Sequence, residues 1–359
     1  MVLDFTKEAV ENAATHGINF DDLRAGKANI KVFGVGGAGC NTVTWLFNKG
    51  ITGATVYGVN TDALHLSITK ADEKILIGKE LTRGLGCGGY PTKGREAAKE
   101  SLSELKKATS GADMVFLVAG MGGGSGTGGG PVIAQLAKEA GSVVIGVVTM
   151  PFEMEKARQD KAEFGLQELT EVADTVIIID NNRLVDIAGN LPMEQAFAVA
   201  NELVSTMIKG IVETITLPSL INLDYADVSA IMKNGDVAVI GVGESDVSNR
   251  VDEAVKQALT HPLLDVDYRG ATGALIHVTC GPDFKLEEFA GIGELVTESI
   301  SPEAQVIIGA RINRDFANKV RVITIMTGVQ SPYILGRRAL ESRVKPVSEM
   351  SDLGIEMFR

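Results

Sequence analysis

The sequence predicts an α/β fold: a doubly wound, mostly parallel sheet, a long central helix, and then a smaller α+β domain. Three observations carry that expectation. Short β-branched runs that are apolar on both faces alternate with helical segments, the pattern of parallel strands covered on both sides. Two glycine-rich segments each follow such a strand and precede a helix. One segment, Met193 to Leu217, keeps apolar residues at steps of three and four along its length.

Taken in order, residues 1–28 read as a polar-apolar extension. Within 29–192, Ile30–Val35, Ala54–Val59, Met114–Ala119, Val143–Thr149 and Thr175–Ile179 read as strands. Asn41–Lys49, Thr92–Ala108, Pro131–Ala140 and Asp160–Val172 read as the helices between them. The long helix fills 193–217, with Phe197, Ala200, Val204, Met207, Ile208, Ile211, Val212 and Ile215 on one broad apolar face, and Pro218 ends it. At 1.5 Å per residue it is roughly 37 Å long. Residues 218–330 form the α+β unit, with strands Val237–Val242, Ala274–Thr279, Gln305–Ala310 and Val320–Thr327 and helices Ser248–Thr260 and Leu286–Ile300. From 331 to 359 the pattern dissolves into a tail carrying Arg337, Arg338, Arg343 and Lys345.

Composition narrows the function classes. With 359 residues, 45% hydrophobic and 22% charged, the chain reads as globular and not as a disordered segment. Lys and Arg number 34 against 46 Asp and Glu, a net charge of −12, which argues against nucleic acid or an anionic membrane as partner. A polyphosphate ligand would therefore be held by local backbone dipoles and metal ions. The 3 cysteines, Cys40, Cys87 and Cys280, are odd in number and far apart, which predicts neither disulfides nor a Cys-x-x-Cys metal site. His16, His65, His261 and His277 share no metal-like spacing, so no protein metal site is expected. No apolar run approaches membrane-spanning length, and the start carries an early acid, Asp4. The expectation is a cytoplasmic protein in a reducing compartment, without direct membrane insertion.

The first glycine segment, Gly34-Val35-Gly36-Gly37-Ala38-Gly39, has the Gly-x-Gly-x-x-Gly form of a dinucleotide-binding turn. Asp62 closes the next strand, where a ribose-binding acid would stand, so an NAD-dependent oxidoreductase is one reading. The second segment, Gly120 to Gly130, packs 8 glycines into 11 residues, with Ser125 and Thr127 as hydroxyl donors and Pro131 suited to the first turn of the helix that follows. A simple turn needs no such concentration of conformational freedom. Neither segment contains Gly-Lys-Ser/Thr, which excludes a Walker A loop. Two glycine loops on one sheet suggest one long phosphate chain gripped from both sides.

The segment Gly120–Pro131 resembles the signature loop of the tubulin/FtsZ family, in the form carried by the prokaryotic cell-division GTPases. The similarity extends in family order to "VFGVGGAGCN", "GVNTDA", "LTRGLGCGGYPTKG", "VVTMPF" and "FAVANELVSTMIKGIVETITLPSLINLDYADV", covering about 29–330. The resemblance implies a GTP-binding and GTP-hydrolysing protein that forms filaments at a division ring at mid-cell. It implies that Gly36, Gly37, Ala38, Gly39, Cys40 and Asn41 form the first nucleotide loop, with Asn41 also near guanine. Asp62 and the Gly86, Cys87 and Gly88 backbone would lie near the phosphates. Gly122, Gly123, Gly124, Ser125, Gly126, Thr127 and Gly128 would cradle the α- and β-phosphates. Glu155 and Arg158 would reach ribose and phosphates, Phe197 would stack on guanine, and Asn201 would bond its edge. Asn222, Asp224 and Asp227, in the loop 218–228, resemble the catalytic loop that enters the neighbouring subunit's site. GTP or GDP with Mg2+ held mainly through the phosphates is implied, and K+ is a further candidate ion. Implied partners are other copies of the chain, and membrane-tether or regulator proteins reached through 331–359.

Geometry supports a role for the distant acids between molecules. From Asn201 to the end of the helix is roughly 24 Å, so Asp224 and Asp227 are expected to point away from their own chain's nucleotide. A head-to-tail contact that does not close makes a filament. The chain departs from the family at three places. "PFEMEKAR" is one residue short between Pro-Phe and Arg158, Ser125 stands for the usual first threonine, and the end "SDLGIEMFR" does not match the bacterial tail peptide. Two alternatives remain beside a division GTPase: the NAD-dependent oxidoreductase, and a tubulin-like paralogue that shapes the cell.

Overall fold

The computed structural model describes residues 28–217, 219–221, 223–233, 236–260 and 270–329. Ten strands run β1 Ile30–Val35, β2 Ala54–Asn60, β3 Glu73–Leu76, β4 Met114–Gly120, β5 Val143–Met150, β6 Thr175–Asp180, β7 Asp236–Ser245, β8 Gly273–Cys280, β9 Gln305–Ile312 and β10 Val320–Thr327. Helices within the first half are α1 Gly36–Asn48, α2 Ala63–Ile68, α3 Lys79–Thr82, α4 Pro91–Glu100, α5 Leu102–Thr109, α6 Ser125–Glu139, α7 Lys156–Val172 and α8 Asn181–Ala188. The second half adds α9 Met193–Thr216, α10 Tyr225–Lys233, α11 Arg250–Leu259 and α12 Leu286–Thr297.

All strands join one sheet in the order β3-β2-β1-β4-β5-β6-β7-β10-β8-β9. From β3 through β7 every pairing is parallel, while β10 runs antiparallel to both β7 and β8. Each residue of β1 and β6 is buried because helices cover both faces, as the continuous apolar runs demand. On one face Val32, Phe116 and Ile145 meet α1 and the Val204, Ile208 and Ile211 side of α9. On the other, Val115 and Leu117 meet Leu105, Ile133 and Leu166 of α5, α6 and α7. The strand order reverses between β1 and β4, so the crevice outside their carboxyl ends is the topological switch point where ligands of such sheets bind.

The sequence-based elements are refined at several points. The helix expected over 92–108 breaks at Ser101, whose hydroxyl is used instead to accept the Gly78 amide (3.1 Å). β3, α2 and α3 were not anticipated, being four to six residues long and too short to show a period. α1 begins at Gly36 and not Asn41, and α6 begins at Ser125 and not Pro131. Pro131 therefore lies inside its helix, where it cannot donate to the Thr127 carbonyl one turn back. The α+β unit is no separate sheet, since three residue pairs between β6 and β7 carry it on from the first.

Candidate functional site

The switch point is built from two helix N-termini. Both α1 and α6 start directly from a glycine loop without any side-chain cap, so their first amides are left for an outside acceptor. The loops touch: a Cβ on Gly36, whose φ is +72°, would lie 2.9 Å from the Gly126 nitrogen. Two uncapped helix starts converging on one crevice suit an anion with several charged oxygens.

The glycines divide into two kinds. At Gly37 and Gly123 an added Cβ would meet no protein atom within 4 Å, so these two line open space at the mouths of the loops. At Gly128 it would stand 1.9 Å from the Pro91 carbonyl oxygen, at Gly124 2.4 Å from Cys87 Cβ, and at Gly39 2.3 Å from the Val118 carbonyl oxygen. Much of the glycine run is therefore a helix surface stripped of side chains so that α6 can sit deep against α4 and β4. Four residues in or beside the two glycine segments have surroundings in protein as well. Gly39 and Gly128 are packing positions, and the Gly128 amide is already bonded to the Gly124 carbonyl (3.0 Å). Cys40 faces inward, its thiol within reach of the carbonyls of Gly34 (3.6 Å) and Val59 (3.7 Å) and donating to one of them, and burial pushes its pKa up to about 11, which keeps the thiol protonated. The Thr127 side chain is buried against Gly165 with its hydroxyl unpartnered, so it supplies no donor to the crevice; its amide, in the first turn of α6, is the part that can face one.

Ser125 is placed differently. Its hydroxyl pairs with Thr61 Oγ1 at 2.7 Å and lies 3.8 Å from the Cys87 sulfur, tying α6 to the loop after β2 and to the loop before α4. Thr61, overlooked in the sequence, is the residue that joins the three. Asn60 sets its backbone, its Oδ1 accepting the amides of Thr61 (2.9 Å) and Asp62 (3.2 Å). Asp62 caps α2 by accepting the His65 amide (2.9 Å) and bridges to Leu85. The Gly86, Cys87 and Gly88 backbone is thus held beside Asp62, with Gly86 and Gly88 in left-handed conformations. Glu155 and Arg158 form an ion pair (2.6 Å) at the start of α7, and Gly122 backs directly onto Arg158.

A cleft of about 610 Å³ between α1 and α9 holds Asn41, Phe197 and Asn201 together. Phe197 is 39% exposed, unlike the core residue a helical apolar face suggests, and Phe152 steadies it edge-on at 6.0 Å. Asn201 Oδ1 accepts from Thr42 Oγ1 (2.9 Å), which leaves its amide nitrogen for a ligand edge.

The acids lie at the other edge of the sheet. Tyr225 Oη donates to the carbonyl of Asp113, the residue preceding β4, whereas the glycine loop follows the end of β4. Seven residues at 3.3 Å place the two edges about 23 Å apart. Leu223 anchors the acids in the core, over space kept free by Gly309, and Ile221 bridges to Ala310. Asp224 Oδ1 accepts the Asp227 amide (2.8 Å) and Asp227 Oδ2 accepts the Asp224 amide (3.4 Å), a reciprocal cap on α10. Each carboxylate spends one oxygen on this cap and keeps a second, and Leu220 beside them is 70% exposed. Asn222, the extension 1–27 and the tail 331–359 lie outside the described residues.

Among the described residues no three His, Cys, Asp or Glu side chains gather as a metal cage. No helix among them is long and apolar enough to cross a membrane.

Comparison with known proteins adds to this geometry. Residues 29–189 match the GTPase domain of the tubulin/FtsZ family, and residues 236–330 match the C-terminal domain of the FtsZ family. Cell division protein FtsZ 2 of Methanocaldococcus jannaschii is 51% identical over 349 residues, covering 96% of this chain and 91% of that protein. Cell division protein FtsZ 1 of Pyrococcus furiosus is 54% identical over 309 residues, covering 86% and 83%. A solved structure described as an empty FtsZ dimer from M. jannaschii superposes with a TM-score of 0.80 at 48% identity, covering 90% of this chain and 92% of that one.

Proposed function

This chain belongs to the FtsZ branch of the tubulin/FtsZ family, a GTPase of cell division, and from that premise we propose that it polymerises head to tail and hydrolyses GTP between two copies. The observation that carries this reading is the separation of the glycine crevice and the Asp224–Asp227 cap to opposite edges of one sheet. Membership of this family sets aside the dinucleotide oxidoreductase. Identity of about half to proteins named for cell division favours a division role over a cell-shape paralogue.

In this reading the first amides of α1 and α6 bind the α- and β-phosphates, and the Gly86–Gly88 backbone with Asp62 borders the terminal phosphate. Phe197 stacks on guanine, the Asn201 amide donates to its edge, Asn41 lies alongside, and Glu155 with Arg158 reaches ribose. Mg2+ bound to the phosphates would neutralise charge that develops on their oxygens, and K+ has no residue assigned. Asp224 and Asp227 of the next copy, with Asn222, orient the attacking water through the oxygens their cap leaves over, and take up its proton. The exposed Leu220 beside them suits an interface between copies. The solved dimer of a relative supports self-association. Residues 331–359 are proposed to reach membrane-tether or regulator proteins that place the filament at the mid-cell ring.

The test is GTP turnover per protein molecule against protein concentration. A threshold below which specific activity vanishes is expected; constant specific activity at every concentration would overturn completion between copies.

A further inference from the structure

Two hydroxyls stand in the second glycine segment, and they are used in opposite ways. Thr127 turns its hydroxyl into the protein, where it has no partner. Ser125, the first residue of α6, is half-buried and stands where the two glycine loops meet, its Cβ 3.4 Å from the position a Cβ on Gly36 would take. Of the two, Ser125 is the one whose hydroxyl can reach a group lying between the loops.

What a hydroxyl donates to depends on where its single proton points, and behind Ser125 two buried side chains set that direction. Thr61 is fully buried and Cys87 nearly so. The Cys87 thiol has Thr61 Oγ1 as its acceptor at 3.4 Å, and Thr61 Oγ1 in turn lies 2.7 Å from Ser125 Oγ. With the thiol donating to Thr61, the Thr61 proton is directed to the nearer oxygen, Ser125 Oγ. Ser125 then accepts from behind and keeps its own proton to give. Among the described residues the acceptor that proton meets is the Cys87 sulfur at 3.8 Å, a long contact to a weak acceptor.

Thr61 is held firmly in this post. Its amide donates to Asn60 Oδ1 (2.9 Å), and its carbonyl accepts the Gly86 amide (3.1 Å) and the Thr82 hydroxyl (3.2 Å). Every polar atom of Thr61 is engaged, so its hydroxyl has one place to stand.

We infer that Thr61 is a positioning residue for nucleotide binding: the relay from Cys87 through Thr61 to Ser125 aims the Ser125 proton out of the protein, at a phosphate oxygen. The inference rests on the reading that the start of α6 holds the phosphates of GTP or GDP. A phosphate oxygen displaces a weak 3.8 Å contact to sulfur, so Ser125 gives up little to bond it. Hydrogen bonds in a chain polarise one another, and one that ends on an anion is shorter and stronger than a neutral pair. Thr61, being fully buried, touches no ligand and acts through Ser125.

The test is calorimetric titration of GDP into the nucleotide-stripped full chain and its variants, so that turnover does not intervene. Thr61→Val removes the hydroxyl at nearly constant shape and should weaken GDP binding about tenfold, which corresponds to about 1.4 kcal/mol. Thr61→Ser should restore most of the affinity. Ser125→Ala should weaken binding by a similar factor, and the double variant should bind no more weakly than Ser125→Ala alone, because Thr61 then has nothing to orient. A merely structural Thr61 would instead lower affinity equally in both backgrounds. Cys87→Ala, which removes the first donor of the relay, serves if Thr61→Val fails to fold; its loss of affinity should likewise vanish when Ser125 is Ala. Additive losses, or full affinity in Thr61→Val or in Ser125→Ala, overturn the relay while the phosphate site stands. No GDP binding by the unaltered chain would overturn the site itself.

Discussion

At the carboxyl edge of the parallel sheet the proposed function rests on backbone amides at the uncapped starts of α1 and α6, while at the amino edge it rests on the carboxylates of Asp224 and Asp227. The first edge leaves side chains out: Gly37 and Gly123 line open space, while their neighbours Gly124 and Gly128 let α6 pack against α4 and the loop before it. There, fold and site are one piece of geometry. At the second edge the acids stand on a short helix that they cap themselves, held from below by Leu223. The function proposed there should be removable with little loss of structure. The difference teaches where mutation can separate binding from turnover: at the acids readily, at the glycines only where an added methyl meets no protein atom.

The largest expected effect is at the acids. Asp224→Ala should lower GTP turnover by about 10²–10⁴, the range for a positioned proton acceptor, while nucleotide binding is retained and losing the cap costs about 1 kcal/mol of stability. Turnover assays beside nucleotide binding and urea denaturation check this, and unchanged turnover would break the comparison at its root.

Next in size is an effect belonging to neither edge. Burial first, and then the nearby Arg311 charge, push the pKa of His277 on β8 down to about 4 from an ordinary 6.5, so between those values the unfolded chain binds the proton more readily. Its share of stability is complete above pH 6.5 and is lost as pH falls towards 4, on the order of 3 kcal/mol in all. The charged groups around it, between α9 and the sheet, are Lys49, Lys209, Glu213, Arg311 and Arg321. Urea midpoints measured from pH 7 down to pH 5 should fall, and His277→Gln should flatten that slope while leaving both edges intact.

Gly128→Ala would drive a methyl to 1.9 Å from the Pro91 oxygen, and should cost about 1–3 kcal/mol of stability, lowering the melting temperature together with nucleotide affinity. Phe197→Ala should weaken GTP binding by about 1–3 kcal/mol, as loss of one stacked base does, with turnover at saturation nearly kept; calorimetric titration measures it. The smallest change in stability is expected for Gly37→Ala, within about 0.5 kcal/mol, although its methyl enters the crevice and should reduce nucleotide affinity. Equal losses of stability in Gly37→Ala and Gly128→Ala would erase the distinction between lining and packing glycines.

Much of this was legible in the residues because it depends on local pattern. The strands β1, β4, β5 and β6 stand where doubly apolar runs required them, and α9 follows its three-and-four spacing to within a residue of Pro218. Phe197 and Asn201, one helical turn apart, do share a cleft with Asn41. What local pattern did not reveal follows from contacts distant in the chain. Ser101 breaks a helix because Gly78 needs its hydroxyl, and Thr61 matters because Ser125, 64 residues away, bonds to it. Cys40 and Thr127 fall within nucleotide loops by position yet turn inward, since a helix starting at Gly36 or Ser125 directs every third or fourth side chain to the core.

By itself the order of amino acids determined the alternation of strand and helix, the two glycine loops and the presence of acids beyond the long helix, because hydrophobic period and backbone freedom are properties of neighbouring residues. Only the tertiary structure decided that one sheet runs unbroken through both halves, which glycines face a ligand and which face protein, and that crevice and acids occupy opposite edges. Those are matters of packing, fixed by which atoms approach within a few ångströms across long stretches of chain, and no local pattern encodes them.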